Sequence, residues 1–241
     1  MKCVSLTHVG RVRTENQDSV INLKDLRGAY FFGVADGMGG HKAGDVASMT
    51  LTKELEKFFK KCDKKKCFAN PESICRKIEE INRKIYDMAC ENPDYEGMGT
   101  TLTLAFTNGK TGYIYQIGDS RAYLINEGGI NQITKDQSLV QFMVDTKQIT
   151  PEEAEIHPSR HVILAAVGTE EDIETEVYNF ALNKDDILLI CSDGLSDNFK
   201  NEEIEEIIRK APNLKNCAAE LVSEANKRGG KDNISVVLFE A

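Results

Sequence analysis

An α+β fold is what the periodicities of this 241-residue chain predict, and three observations carry it. Several segments place apolar residues at every second position or in short unbroken runs, the mark of strands. Four longer stretches show three- and four-residue spacing instead, the mark of amphipathic helices. Those helical stretches come in pairs set apart from clusters of strands, which argues against a βαβ alternation and for sheets with segregated helices. No internal repeat or low-complexity linker stands out, so one domain over 1–241 is expected.

Taken in order, residues 3–9 alternate weakly and form a first strand. A polar turn over 10–18 then delivers Asp18 to a second strand at 19–23. Residues 30–35 are a short apolar run, a buried strand that ends at Asp36. Glycines follow, and then a helix from about 43 to 61 with Ala47, Leu51, Leu55 and Phe58 along one side. Lysines cluster at 60–66 in what reads as a solvated loop. Asn70 as cap and Pro71 in the first turn signal a second long helix. Its stripe of Ile74, Ile78, Ile81, Ile85 and Met88 is read, like that of the first helix, as plain core packing.

After Gly97-Met98-Gly99 the period changes to two, and 101–106, 112–117 and 121–125 read as the strands of a β-meander. Short helices at 137–147 and 151–156 lie in a polar segment that runs to about 160. Strands follow at 177–181 and 187–191, the latter so aliphatic that a central place in a sheet is expected. Helices at about 202–210, capped by Asn201, and 214–227 precede a closing strand at 234–239.

Composition narrows the function. A hydrophobic fraction of 41% with 29% charged residues suits a soluble globular protein that buries a full core. No apolar run approaches the ~20 residues that span a bilayer, and the first residues lack the apolar core of a signal peptide, so a cytoplasmic protein with no membrane insertion is expected. The seven cysteines are odd in number and lack Cys-x-x-Cys spacing, which favours free thiols over a zinc site or disulfides. A net charge of −9 argues against nucleic acid as a partner.

The chemistry lies with aspartates at strand ends. Asp36, Asp119 and Asp193 each follow an apolar run, while Asp18 and Asp232 each precede one. An Asp-Gly pair such as Asp36-Gly37 is a common turn signal, and five aspartates at loop edges also suit an acidic surface. Were the strand ends to converge, like charges that close would need cations between them. Oxygen ligands without His or Cys select Mg²⁺ or Mn²⁺. Two such ions can activate water and clamp a phosphoryl group for in-line attack. Spacing alone does not bring the ends together.

Six ordered motifs carry a resemblance. They are Gly10-x-Val12-Arg13-x-x-Asn16-Gln17-Asp18, Ala35-Asp36-Gly37-Met38-Gly39-Gly40-His41, Gly99-Thr100-Thr101, Gly118-Asp119-Ser120-Arg121, Ser192-Asp193-Gly194-Leu195 and Lys231-Asp232-Asn233. In this order the chain resembles bacterial metal-dependent protein phosphatases of the PPM family, type 2C, from about residue 2 to 240. The resemblance implies an α-β-β-α sandwich of two antiparallel β-sheets flanked by helix pairs. It implies hydrolysis of phosphoserine and phosphothreonine on proteins by direct attack of a metal-bridging water, with no covalent phosphoenzyme. Carried over by motif, Asp36 bridges two ions, Mn²⁺ or Mg²⁺, and the Gly37 carbonyl binds the second. Asp193 and Asp232 hold the first, Asp18 acts through metal-bound water, and Arg13 grips the substrate phosphate. Asp119, with Asp193, matches the ligands of a third, weaker ion, and residues about 138–165 correspond to a flap beside the site. Phosphorylated proteins, a cognate Ser/Thr kinase among them, are the implied partners of a monomer.

Three positions depart from the pattern. Gln17 stands where many members carry Glu, and Met38 where eukaryotic members carry a His proposed as general acid, a role His41 does not simply inherit. Gln137 stands where relatives commonly carry His at the opening of the flap. Two rival functions fit the residues less well. A phosphoprotein-binding relative without catalysis would tolerate loss of the aspartates, yet none is missing. A nucleotide site at 37–44 lacks the Gly-Lys-Ser/Thr ending of a P-loop, since Ala43 follows Lys42.

Overall fold

The computed structural model describes residues 1–24 and 28–241, and of residues 40–42 the backbone alone; the side chain of His41 thus lies outside what is described. Strands β1 (Lys2–His8), β2 (Asp18–Lys24) and β3 (Tyr30–Met38) lead into helices α1 (Gly40–Lys61), α2 (Lys64–Ala69) and α3 (Glu72–Glu91). Strands β4 (Gly99–Thr100), β5 (Leu102–Thr107), β6 (Thr111–Ile117), β7 (Arg121–Asn126) and β8 (Gly129–Gln132) follow. Short helices α4 (Leu139–Asp145) and α5 (Pro151–Glu155) precede β9 (Glu176–Ala181) and β10 (Ile187–Cys191). The chain closes with α6 (Asp193–Ser196), α7 (Asn201–Lys210), α8 (Leu214–Lys227) and β11 (Ile234–Glu240).

Two antiparallel sheets result, ordered β1-β11-β10-β7-β8 and β2-β3-β5-β6-β9, with β4 paired to β3. Period-two alternation decides which face each residue takes. In β3, Phe31 and Ala35 turn outward to α1 and α3, while Tyr30, Phe32 and Val34 turn to the opposite sheet. In β10, Leu188 and Ile190 face that inter-sheet layer, whereas Leu189 and Cys191 pack under the helices α7 and α8. The order of layers is therefore helices, sheet, sheet, helices, the α+β sandwich expected. All seven cysteines are free thiols.

The structure corrects several local expectations. The lysine-rich segment is no loop: Asp63 accepts from the backbone of Lys65 and Lys66 and starts α2 there, a side-chain cap outweighing the repulsion of adjacent lysines. Asn70 therefore closes α2, and Pro71 takes the cap position of α3. Lys200, not Asn201, caps α7, its backbone N–H bound by Glu203 three residues on. Above all there is no three-strand meander. β6 pairs with β5 and β9, whereas β7 pairs with β10 and β8 in the other sheet. Residues 118–120 are thus a crossing between sheets rather than a hairpin turn.

Phe239 fixes the two sheets against each other. It is fully buried, stacked on Phe32 with centroids 5.1 Å apart and edge-on to Tyr30 at 4.8 Å. Phe239→Ala is expected to lower the unfolding free energy by about 3–5 kcal/mol, read as a lower urea midpoint at unchanged slope. A loss below 1 kcal/mol would show that the inter-sheet layer does not hold the sandwich.

Candidate functional site

Antiparallel pairing gathers the aspartates. In an antiparallel ladder the end of one strand lies beside the start of the next, so a residue after one strand and a residue before its neighbour share an edge. Asp18 at the start of β2 is paired directly with Asp36 near the end of β3. Asp193 just beyond β10 and Asp232 just before β11 meet by the same logic across the other sheet. β6 runs parallel to β3, with β5 antiparallel between them, and brings Asp119 to the same edge. Asp36, Asp119, Asp193 and Asp232, with Arg13 and Gly37, line one cleft of about 900 Å³. Asp18 is buried behind Asp36.

Each acid is held by its neighbours' backbone and hydroxyls. The Asp36 N–H donates to Thr101 Oγ1 at 3.0 Å, and its carbonyl accepts from the Thr101 N–H at 2.8 Å and Thr100 Oγ1 at 2.9 Å. Asp18 Oδ2 accepts from Ser192 Oγ at 2.9 Å, a residue adjacent to Asp193. The polar loop before β2 is fastened by Asn233. Its Oδ1 accepts from the Gln17 N–H at 2.8 Å, and its Nδ2 donates to the carbonyls of Val9 and Glu15. Gly37 must lack a side chain, because a Cβ there would come within 2.1 Å of the Gly44 carbonyl oxygen and 2.5 Å of that of Gln17. That contact seats the start of α1 against the site. Arg13 is exposed, and its Nη2 donates to Asp232 Oδ2 at 2.8 Å.

Electrostatics mark the cluster as strained. Burial, followed by the charges of Asp18, Asp193, Asp119 and Asp232, pushes the Asp36 carboxyl well above the usual range. Burial and then Asp119, Asp197, Asp232 and Asp18 do the same to Asp193. Asp18 rises to about 6 through burial, partly offset by hydrogen bonds from Ser235 and Ser192. Asp119 rises to about 6 through burial and the charge of Asp136, with Arg121 opposing. Two buried carboxylate oxygens, Asp18 Oδ1 and Asp193 Oδ1, have no hydrogen-bond partner among the described residues. Orphaned buried oxygens in an all-carboxylate set fit hard divalent cations and little else.

All seven residues singled out from the sequence therefore come to one edge. Four further groups there were given no role from the sequence, Lys231 among them although it opens one of the motifs. Asp197 lies four residues after Asp193, and His161 Nδ1 approaches its Oδ2 at 3.3 Å. Atoms of His161, Asp193 and Asp197 lie within 4.8 Å of one another. Arg160 and Lys231 line the cleft. A helical i, i+4 offset from Asp193 could have flagged Asp197; nothing local flags a flap residue such as His161.

Comparison with known proteins agrees with this site. A family model described as protein phosphatase 2C matches residues 8–238. The serine/threonine phosphatase stp of Listeria monocytogenes is 38% identical over 237 residues, 97% of this chain and 93% of that protein. The crystal structure of serine/threonine phosphatase Stp1 from Staphylococcus aureus superposes with a TM-score of 0.93 at 36% identity, over 100% of this chain and 94% of that one. The catalytic domain of the serine/threonine protein phosphatase PstP, crystallised in complex with two manganese ions, has a TM-score of 0.84 at 35% identity, covering 98% and 96%.

The raised carboxyls set a pH dependence. In protein stripped of divalent ions by EDTA, the folded state binds more protons than the unfolded one from about pH 4 to pH 6, so stability is fully present below that window and falls as pH rises through it. Asp18 alone, moved from 3.8 to about 6, contributes on the order of 1–3 kcal/mol. The melting temperature in EDTA should thus be higher at pH 5 than at pH 7, and Mn²⁺ at pH 7 should recover the difference. A flat profile in EDTA would show that the carboxylates are not held together.

Proposed function

The chain belongs to the protein phosphatase 2C family, and we propose that its strand-end aspartates and Arg13 divide the work as their places in the cleft suggest. It is a metal-dependent serine/threonine protein phosphatase, a hydrolase acting on phosphorylated proteins. Two divalent ions, Mn²⁺ or Mg²⁺, would supply the positive charge that draws in the phosphoryl group and would make water acidic enough to attack it at neutral pH. Asp36, whose carboxyl feels every other acid of the cluster, is assigned to both ions, with the Gly37 carbonyl on the second. Asp193 and Asp232 are assigned to the first. Asp18, behind Asp36, would act through water, and Asp119 together with Asp193 would offer a third, weaker position. The orphaned oxygens of Asp18 and Asp193 carry this assignment.

Arg13 is the substrate-binding residue. Asp232 engages one arm of its guanidinium, and the remaining N–H groups of an exposed planar fork are free to meet two phosphate oxygens. The Val12 N–H binds the Gly230 carbonyl and keeps this loop at the cleft rim. Met38, also at the rim, has no proton to give a leaving alkoxide. No helix among the described residues is long and apolar enough to cross a membrane. The same proposal takes the chain as a single domain, monomeric and cytoplasmic, with a cognate Ser/Thr kinase among its phosphoprotein substrates.

Asp36→Asn and Asp193→Asn should each lower kcat by at least about 10²–10³-fold on a phosphothreonine peptide while leaving the circular dichroism spectrum unchanged. EDTA should abolish wild-type turnover and Mn²⁺ restore it. Near-normal kcat in either variant would mean the ions are assigned to the wrong residues. Arg13→Ala should lower kcat/KM by roughly ten- to a hundredfold, the scale of one charge-assisted hydrogen bond, mainly through KM. An unchanged KM with unchanged metal affinity would return Arg13 to the role of an ordinary surface arginine.

A further inference from the structure

Gln137 is a departure from the family pattern that the catalytic assignment leaves unused. It stands at the base of the flap, where residues 137–139 run antiparallel to 162–164. Leu139 N–H binds the Val162 carbonyl at 2.8 Å, and the Leu164 N–H binds the carbonyl of Gln137 itself at 2.7 Å. Its other groups reach across to the crossing between the sheets. The Gln137 N–H donates to the Gly118 carbonyl at 3.0 Å, and Gln137 Oε1 accepts from the Gly118 N–H at 2.8 Å. One flap residue thus satisfies both backbone groups of a buried residue next to Asp119.

Gly118 transmits that grip because it has no freedom of its own. Its φ is +95°, and a Cβ would meet Thr101 Cγ2 at 2.7 Å. On the other flank of Asp119, Ser120 is held from the core. Its carbonyl accepts from Gln116 Nε2 and Thr103 Oγ1, both at 2.8 Å, and its Oγ pairs with Thr101 Oγ1. Gln116 Nε2 also donates to the Gly118 carbonyl at 2.9 Å. Asp119 is therefore suspended between two glutamines, one from the core sheet and one from the flap. Removing the core clamp would disturb a fully buried network. Removing the Gln137 side chain would free only the Gly118 N–H, since the Gly118 carbonyl keeps Gln116 Nε2 and the Gln137 N–H.

We propose that Gln137 is a positioning residue that fixes the Asp119 carboxylate from the flap side, so that cation affinity at Asp119 depends on the seating of the flap base. This rests on Asp119 as a cation ligand, and the test separates the two ideas. Gln137→Leu removes the acceptor at nearly constant size, and Gln137→Asn withdraws it by one methylene while staying polar. In both, hydrogen exchange of the Gly118 amide should speed up by at least about tenfold. The Mn²⁺ concentration giving half-maximal turnover should rise about tenfold, the scale on which partners of metal ligands act. The two tight ions seen by calorimetry and the KM for p-nitrophenyl phosphate at saturating Mn²⁺ should not change. Gln137→Glu, which keeps an oxygen at the same reach, should restore both readouts.

Unchanged Gly118 exchange and unchanged half-saturation in Gln137→Leu and Gln137→Asn would overturn the proposal. So would a fall in melting temperature alone, the result expected of a purely structural residue. Asp119→Asn is the control: wild-type turnover across the Mn²⁺ titration in that variant would remove Asp119 as a ligand, and the Gly118 exchange would then show only whether the clamp exists.

Discussion

Everything at the catalytic edge follows from keeping five carboxylates where electrostatics would drive them apart. Burial alone raises the proton affinity of Asp36 and Asp193, and each acid raises its neighbours' further. Nothing in the cluster itself holds it together. The cost is borne by the sandwich, whose inter-sheet layer of Tyr30, Phe32, Leu188, Ile190 and Phe239 locks the strand ends in place. A protein that relied on those acids for stability would abandon the site; this one stabilises the strands and lets the ends be strained.

The motif residues other than the aspartates are the means of that strain. Thr100 and Thr101 hold both backbone groups of Asp36, Asn233 fastens the loop that carries Arg13 and Gln17, and Ser192 donates a hydrogen bond to one oxygen of Asp18. The hydroxyls and the amide reach main chain or a carboxylate beside the aspartates, which explains why short motifs rather than lone aspartates mark the site in the sequence. Arg121 plays a complementary part by binding Asp136 through Nε and Nη2, with a shortest contact of 2.6 Å. That pairing sets a cation beside Asp136, whose charge still raises Asp119, and Arg121 opposes that rise.

The sequence was informative wherever periodicity or strand order decided the outcome. Helix α8 and strand β10 fall on the predicted residues, and the aspartates at strand ends are all at one edge. Local chemistry misled where several caps competed: Asp63 starting α2 and Lys200 starting α7 depend on which backbone N–H groups a side chain reaches in space. The error with most bearing on function was the meander. Adjacent strands with a Gly-containing break normally pair, and only the long-range register of β7 with β10 shows that Asp119 lies on a crossing. For the same reason the place of His161 beside Asp197 and the hold of Gln137 on Gly118 were illegible in the sequence. Their meaning comes from contacts across the cleft, not from spacing.

Charge balance gives the arrangement its logic. Buried Asp18 and the six acids of the cleft (Glu15, Asp36, Asp119, Asp193, Asp197 and Asp232), all ionised, exceed the three cations Arg13, Arg160 and Lys231 by four charges, the number that two divalent ions would match. Before substrate arrives, the edge is then close to neutral. A phosphate dianion would upset that balance by two charges, and under the proposed assignment a third divalent ion at Asp119 would restore it. A weak site is better suited to this than a tight one, because an ion bound permanently there would favour the dianion as substrate and as product alike. The suspension of Asp119 between a core glutamine and a flap glutamine fits this demand: as a proposed ligand, Asp119 would sit on a loop held firmly by the core on one side and by the flap base on the other.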